Sequence, residues 1–129
     1  MSCADCIAKL LVAGGFSSLF SKSSPSALDC AEPIVVAEGE FRRTSRIDCE
    51  ERGNVSATVM VVREVSRDAE EAASACEKWL RSCNWEACAE DGGWRIAGID
   101  TVPPWLKERD SSGRFVWAFE AACTVVRAL

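Results

Sequence analysis

The sequence predicts an α+β fold in which a mainly antiparallel sheet of four to five strands carries two helices on one face. Three observations predict this fold. Two segments repeat apolar residues at the helical period, several others alternate β-branched with polar residues, and 129 residues is the usual size of one domain. We therefore expect residues 1–129 to form a single domain with the element order α-β-β-β-α-β-β.

The first predicted helix runs from Cys3 to Ala13. Its apolar residues share one helical face. They are Ala4, Ile7, Ala8 and Leu11. Gly14 and Gly15 supply the left-handed residue that commonly ends a helix. The serine-rich segment that follows, residues 16–29, shows no period, and we predict a flexible loop there.

Three strands are predicted in the first half of the chain. They are Ile34–Phe41, Arg43–Glu50 and Val55–Val65, with a turn at Glu51–Asn54 before the third. The third strand alternates most clearly. Because β-branched residues dominate it and both of its faces are mostly apolar toward its end, we expect it inside the sheet.

The second predicted helix is the most regular segment and runs from an N-cap at Ser66 to about Cys83. One stripe along it is apolar. The stripe consists of Ala69, Ala72, Ala73, Cys76, Trp79, Leu80 and Cys83. The opposite face is charged and is expected in solvent, with Glu77 among its residues. We predict that the stripe packs on the sheet, because only that face can leave water without burying charge.

Two further strands are predicted after the second helix. Trp94–Val102 ends at Pro103-Pro104, since neither proline can donate to a ladder. Residues 105–112 are predicted as a charged excursion, closed by a turn at Asp110–Gly113. Arg114–Arg127 is then a long strand with apolar residues on both faces, which predicts a central position in the sheet.

The composition excludes most familiar enzyme chemistry. The chain has no histidine and no tyrosine, which removes Ser-His-Asp and Cys-His arrangements and most catalytic zinc sites. We therefore expect no catalytic residue, no cofactor and no metal. The net charge of -5 argues against nucleic acid or an anionic membrane as a partner. No apolar run reaches the ~20 residues of a membrane span, and no export signal is expected.

Eight cysteines are scattered along the chain, below the density of disulfide scaffolds. We expect free thiols in a reducing compartment, packed as small apolar residues. Cys3 and Cys6 form a CxxC at a helix start, where a lowered thiol pKa could support redox or metal chemistry. No second closely spaced pair completes a zinc site, so we predict no metal and no disulfide. A thiol function of Cys3 and Cys6 stays open as an alternative.

Aromatic residues supply the candidate contact sites. Three of the five tryptophans fit inward positions: Trp79, Trp94 and Trp117. Trp105 differs, since it follows two prolines in a charged segment with Leu106 as its apolar neighbour. An anchor for a partner and a lid over the domain's own core are equal alternatives for it. Phe16 and Phe20, at the start of a segment that can order on binding, complete the predicted interface.

Five segments follow one another in a recognisable order. They are a valine-rich strand (Val55–Val65), a helix beginning Ser66-Arg67-Asp68-Ala69-Glu70-Glu71-Ala72, a strand beginning at Trp94, a loop ending Asp110-Ser111-Ser112-Gly113-Arg114, and a last strand beginning Phe115-Val116-Trp117-Ala118-Phe119-Glu120. In this order they resemble the tail terminator and minor capsid proteins of long-tailed bacteriophages. The resemblance covers most of the chain from about residue 31 and rests on element order. The family does not explain the eight cysteines.

The resemblance implies a structural protein that forms a ring, commonly a hexamer, which caps the finished tail tube and joins it to the head. Its partners would be other copies of itself and tail tube or connector proteins, in the tail or neck of a virion made in the bacterial host cytoplasm. No catalytic residue is carried over, and an acidic ring would let DNA slide through. The alternative from another class is a monomeric binding module, of a regulatory or immunity type, that presents the Trp105 loop to one partner.

Overall fold

The computed structural model describes residues 3–21, 32–47, 50–83 and 94–128. Within these ranges the chain forms two helices and six strands. They are α1 (Cys3–Ala13), β1 (Leu19–Ser21), β2 (Ile34–Ile47), β3 (Glu50–Arg63), α2 (Ser66–Ser82), β4 (Trp94–Thr101), β5 (Trp105–Arg109) and β6 (Phe115–Ala128). The predicted α+β class is confirmed. The element order is α-β-β-β-α-β-β-β, so the predicted order is only roughly matched.

The six strands form one mostly antiparallel sheet in the order β1-β2-β3-β6-β4. Only the β1–β2 pair is parallel among the pairings of the described strands. The strand β6 is long enough to pair with β3 along one side and with two short strands along the other. Thr101 of β4 pairs with Ala121, and Trp105 of β5 pairs with Ala118. The strands β4 and β5 therefore form one broken edge beside β6.

The central strands are β3 and β6, as the sequence predicts. They pair over 14 residues each, from Glu50 opposite Ala128 to Arg63 opposite Phe115. Both strands carry apolar residues on both faces, which suits strands that have a neighbour on each side. Their alternate residues, such as Val59 and Phe119, are fully buried beneath the helices.

Both helices pack on the same face of the sheet and share one hydrophobic core with it. The stripe of α2 is buried as predicted. Ala69, Ala73, Cys76 and Leu80 are each 0% exposed. The helix α1 contributes Ile7 and Leu11, also at 0% exposure. Burial of this apolar area is the main source of the fold's stability.

Glu77 differs from its prediction, because its side chain is buried rather than in solvent. It lies at the border of the α2 stripe, beside the end of β4. The Thr101 hydroxyl donates to Glu77 Oε1 at 2.6 Å, and the Arg81 Nε lies 2.7 Å from the same oxygen. A buried carboxylate is tolerated where hydrogen bonds and an opposite charge satisfy it.

The sequence predicts the end of α1 correctly and the start of α2 incorrectly. The bounds of α1 are confirmed, and Gly15 ends it with φ of +91° while the Phe16 amide donates to the Leu11 carbonyl oxygen at 3.1 Å. The N-cap prediction for α2 is wrong, because the N-cap is Val65 and no side chain caps it. The Ser66 hydroxyl instead accepts a hydrogen bond from the Trp117 indole nitrogen at 3.0 Å.

Three predictions for the first half of the chain are corrected. They concern one loop, the division of one strand into two, and one turn. The strand β1 lies inside the predicted serine-rich loop, where residues 19–21 pair with β2. The two predicted strands from Ile34 to Glu50 merge into β2, which continues to Ile47 past two register shifts. The predicted turn at Glu51–Asn54 is part of β3, because β6 extends the ladder over it. The chain between β2 and β3, and residues 22–29 of the predicted flexible loop, lie outside the described residues.

The predicted turn between β5 and β6 is confirmed, and Asp110 organises it. Its carboxylate accepts hydrogen bonds from the amides of Ser112 at 3.0 Å and Arg114 at 2.8 Å, and from Arg114 Nε at 2.8 Å. Desolvation alone would raise the pKa of Asp110, but the bonds from Arg114 and Ser112 outweigh it and lower that pKa. Gly113 follows with φ of +81°, the left-handed backbone that favours glycine.

Candidate interaction surface

The sheet has one face that carries both helices and a second face that carries neither, which we call the open face. Successive residues of β6 alternate between them. Phe119 and Ala121 are fully buried beneath the helices, whereas Glu120 and Ala122 are exposed on the open face. Within the described parts of the chain, no helix packs on the open face. The open face is therefore the candidate surface for contact with another molecule.

An apolar row crosses the open face from one edge strand to the other. It consists of Phe20, Val35, Met60, Ala118 and Trp105, each the cross-strand partner of the next. Cross-strand partners point to the same face of a sheet. The row spans five strands, or roughly 19 Å at ~4.8 Å per strand. Ala118 is buried, Trp105 is 39% exposed, and the other three side chains are half-buried.

Polar and charged side chains occupy the rest of the open face. Glu120 lies next to the apolar row along β6, and Asp100 lies further along, where it pairs with Ala122. Three arginines, which we call the basic end, lie beyond them. They are Arg42, Arg52 and Arg95, and all three are exposed. Arg52 and Arg95 both pair across with Val126 of β6, so they flank it on the same face.

The structure places two of the four predicted contact residues on the open face and the other two elsewhere. Phe20 and Trp105 stand at the two ends of the apolar row. Leu106 is 49% exposed but pairs with Trp117, so it lies on the helix-covered side of β5. Phe16 is half-buried and packs against the core. The predicted loop at Trp105 is wrong, since residues 105–109 form β5.

Sequence reasoning missed the three residues that connect Phe20 to Trp105. Val35, Met60 and Ala118 are ordinary strand residues, and only the register places them in one row. The sequence did contain one signal for them, because the central strands carry apolar residues on both faces rather than on one. It predicted a central position, which is confirmed, and both helices were expected on one face, but neither observation fixes the register that aligns these residues.

Every described edge of the sheet is irregular, which disfavours strand addition. The strand β1 has three residues. Register shifts interrupt β2 after Glu38 and Arg43, β4 after Ile96, and β5 after Leu106. Short edges, bulges and charged residues are the features by which natural sheets avoid pairing with other chains. The described edges are therefore poorly suited to pairing with a strand of another chain.

The cysteine side chains that the structure describes are buried and form no disulfide. They are Cys6, Cys76, Cys83 and Cys123. Burial raises the pKa of the Cys76 thiol to about 12, although the nearby Arg63 charge opposes the shift. A thiol that stays protonated is a poor nucleophile. Cys6, the inner residue of the CxxC, is 4% exposed, so its position gives no access to a substrate.

Among the described residues, no group of three or more cysteine and carboxylate side chains is placed to hold a metal ion. Neither described helix combines the length and the hydropathy needed to cross a membrane. No protein family matches the chain, and no curated protein is significantly similar to it in sequence.

Proposed function

We propose that the chain is a structural protein of a phage or prophage tail that works by binding other copies of itself in a ring, without catalysis. The observation that carries the proposal is the open face with its apolar row from Phe20 to Trp105. Aromatic and methionine side chains are enriched at protein interfaces. The row holds two aromatic residues and one methionine on a face where no described helix packs, which suits burial against a partner.

The size of the open face supports the same role. Four strands at ~4.8 Å apart and ~3.3 Å per residue cover roughly 900 Å² when they run for the length of β6. A stable protein interface buries ~800 Å² on each partner. The open face is therefore large enough for a specific contact, and its exposed charges keep a single copy soluble.

A ring requires that one surface of a copy meets a different surface of the next. In the role of a tail terminator or head–tail joining component, the ring would sit in the tail or neck of the virion. It would also contact tail tube or connector proteins. The net charge of -5 suits a ring through which DNA passes without adhering.

The second candidate is a monomeric binding module, and one observation favours it. Trp105 and Leu106 are 39% and 49% exposed on opposite faces of the edge strand β5, so a single partner that encloses this edge could contact both. The two functions differ in solution mass, since a ring is several times heavier than a 14.0 kDa monomer. The burial of Cys6 speaks against the third candidate, a thiol protein.

Electron microscopy of the purified protein mixed with tail tubes encoded by the same phage tests the tail role. We expect a cap of defined diameter at one end of each tube. Deletion of the gene should yield tubes of uncontrolled length. Uncapped tubes in the mixture, together with normal tube length after deletion, would leave the binding module as the better account.

A further inference from the structure

We propose that the outer face of helix α2 in one copy lies along the open face of the next copy. This inference rests on the proposed self-assembly and adds the two surfaces that meet. The outer face of α2 is the side turned away from the sheet. This outer face contains a shallow depression of about 470 Å³, lined by Arg67, Glu70, Glu71, Ser74, Ala75 and Lys78.

The open face carries charges of opposite sign at two levels along its strands. Arg52 and Arg95 lie at the level of Val126. Asp100 lies at the level of Ala122, four residues further along β6 and therefore about 13 Å away at ~3.3 Å per residue. Three arginines on one end of a face are notable in a chain with a net charge of -5.

The outer face of α2 carries the complementary charges at a matching spacing. Glu70 and Glu71 are exposed in its first half, and Lys78 is exposed in its second half. Glu70 and Lys78 are eight residues apart, which is about 12 Å along a helix at ~1.5 Å per residue. When α2 lies parallel to the strands, its acidic residues meet the basic end while Lys78 meets Asp100. Both levels then pair opposite charges.

Existing ion pairs on the two surfaces do not oppose this contact. Arg52 lies 3.0 Å from Glu50, and Arg67 lies 3.3 Å from Glu71, with all four side chains exposed. Exposed pairs of this kind contribute ~0–1 kcal/mol, so a partner can replace or extend them. At an interface that excludes water, the same charges would interact more strongly.

The shapes of the two surfaces are compatible with close approach. The middle of the α2 outer face is made of Ser74 and Ala75, both small. With Glu70 at the level of Val126, α2 extends ~18 Å further to Ser82, whereas Ala118 lies ~26 Å along β6. The helix therefore covers the charged part of the open face and ends before the apolar row.

The proposed contact is heterologous. The outer face of α2 and the open face lie on opposite sides of the same copy, because α2 packs on the face that the sheet turns toward the helices. Each copy therefore offers both surfaces at once, and repeated contacts close into a ring when the rotation between copies allows it.

Charge reversal of each surface tests the inference. One variant carries Arg52→Glu and Arg95→Glu, and the other carries Glu70→Lys and Glu71→Lys. Each variant alone should lose the larger species, because it places like charges at the contact. An equal mixture of the two should restore it, since the reversed helix of one variant matches the reversed face of the other. Sedimentation velocity at low ionic strength measures the mass in each case.

The control variant is Lys9→Glu, which reverses an exposed charge on α1, outside both surfaces, and should assemble like the wild type. Circular dichroism confirms that each variant is folded. If the wild type assembles and either reversed variant assembles equally well, or the mixture stays monomeric, the assigned surfaces are wrong while self-assembly stands. If the folded wild type stays monomeric at every concentration, and also with tail tubes present, both proposals fail.

Discussion

The indole nitrogen of Trp79 donates a hydrogen bond to the backbone carbonyl oxygen of Leu10 over 2.7 Å. This bond joins the second half of α2 to the last turn of α1. The backbone at Gly14 lies against the same indole, because a Cβ added there would stand 2.6 Å from Trp79 Cε2. One tryptophan therefore fixes how the two helices sit side by side on the sheet.

Trp79→Phe should lower the free energy of unfolding by at least ~0.5–1.5 kcal/mol, the net value of one hydrogen bond, because it also removes the indole atoms that pack against Gly14. The Leu10 carbonyl oxygen keeps a donor, since it also accepts from the Gly14 amide at 3.1 Å. Urea unfolding followed by circular dichroism measures the change. An unchanged midpoint would show that the bond contributes nothing to stability.

Gly14→Ala should destabilise the protein by ~1–3 kcal/mol, because the new methyl group overlaps the Trp79 ring. Gly98→Ala is the matched control, since a Cβ at Gly98 meets nothing within 4 Å, and it should change stability by less than ~0.5 kcal/mol. Thermal unfolding of both variants measures the two changes in stability. Equal effects of the two substitutions would contradict the described contact between Gly14 and Trp79.

Leu80→Ala should cost ~2–5 kcal/mol, the usual range for a buried leucine, because its side chain is 0% exposed in the core. Lys78→Ala, on the outer face of the same helix, should cost less than ~0.5 kcal/mol. Denaturant titration of both variants compares them. A small effect at Leu80 would mean that the stripe of α2 does not pack on the sheet.

Cys76 should make stability depend on pH above 9.0. Burial raises the pKa of the folded thiol from 9.0 to about 12, with Arg63 opposing part of the shift. Below pH 9.0 both states hold the proton, so its contribution is fully present. Above pH 9.0 the unfolded chain loses the proton first, and the contribution declines until about pH 12.

The wild type should therefore lose more stability than Cys76→Ala when the pH is raised from neutral to above 9.0. Unfolding curves of both proteins at the two pH values give the difference. The folded wild type should also leave Cys76 unmodified by iodoacetamide, as peptide mass spectrometry would show. Parallel pH profiles or rapid alkylation of Cys76 would contradict its burial.

Features of the fold that depend on the spacing of apolar residues within one helix were predictable from the sequence. The bounds of α1 and the buried stripe of α2 depend on residues within one helix. The strand β5 was not predictable, because residues 107–109 are charged and only β6 makes them a strand. The burial of Glu77 was missed for a similar reason, because its hydrogen-bond partner Thr101 is distant in the chain.

Only the two residues at the ends of the apolar row were predictable from the sequence. Phe20 and Trp105 were singled out as aromatic residues in unusual local settings, and the register of five strands places them in one row. Register depends on pairing between strands that are far apart in sequence. The basic end of the open face was missed because its three arginines come from three different strands.

The mass of the full chain in solution, compared with that of Met60→Glu, tests the central claim most directly. Met60 is half-buried in the middle of the apolar row, where a carboxylate would meet the partner without a matching charge. Native mass spectrometry over increasing protein concentration should show the wild type at a fixed multiple of 14.0 kDa and folded Met60→Glu as a monomer. Two proteins that assemble equally, or a wild type that never exceeds 14.0 kDa alone or with tail tubes, would contradict the account.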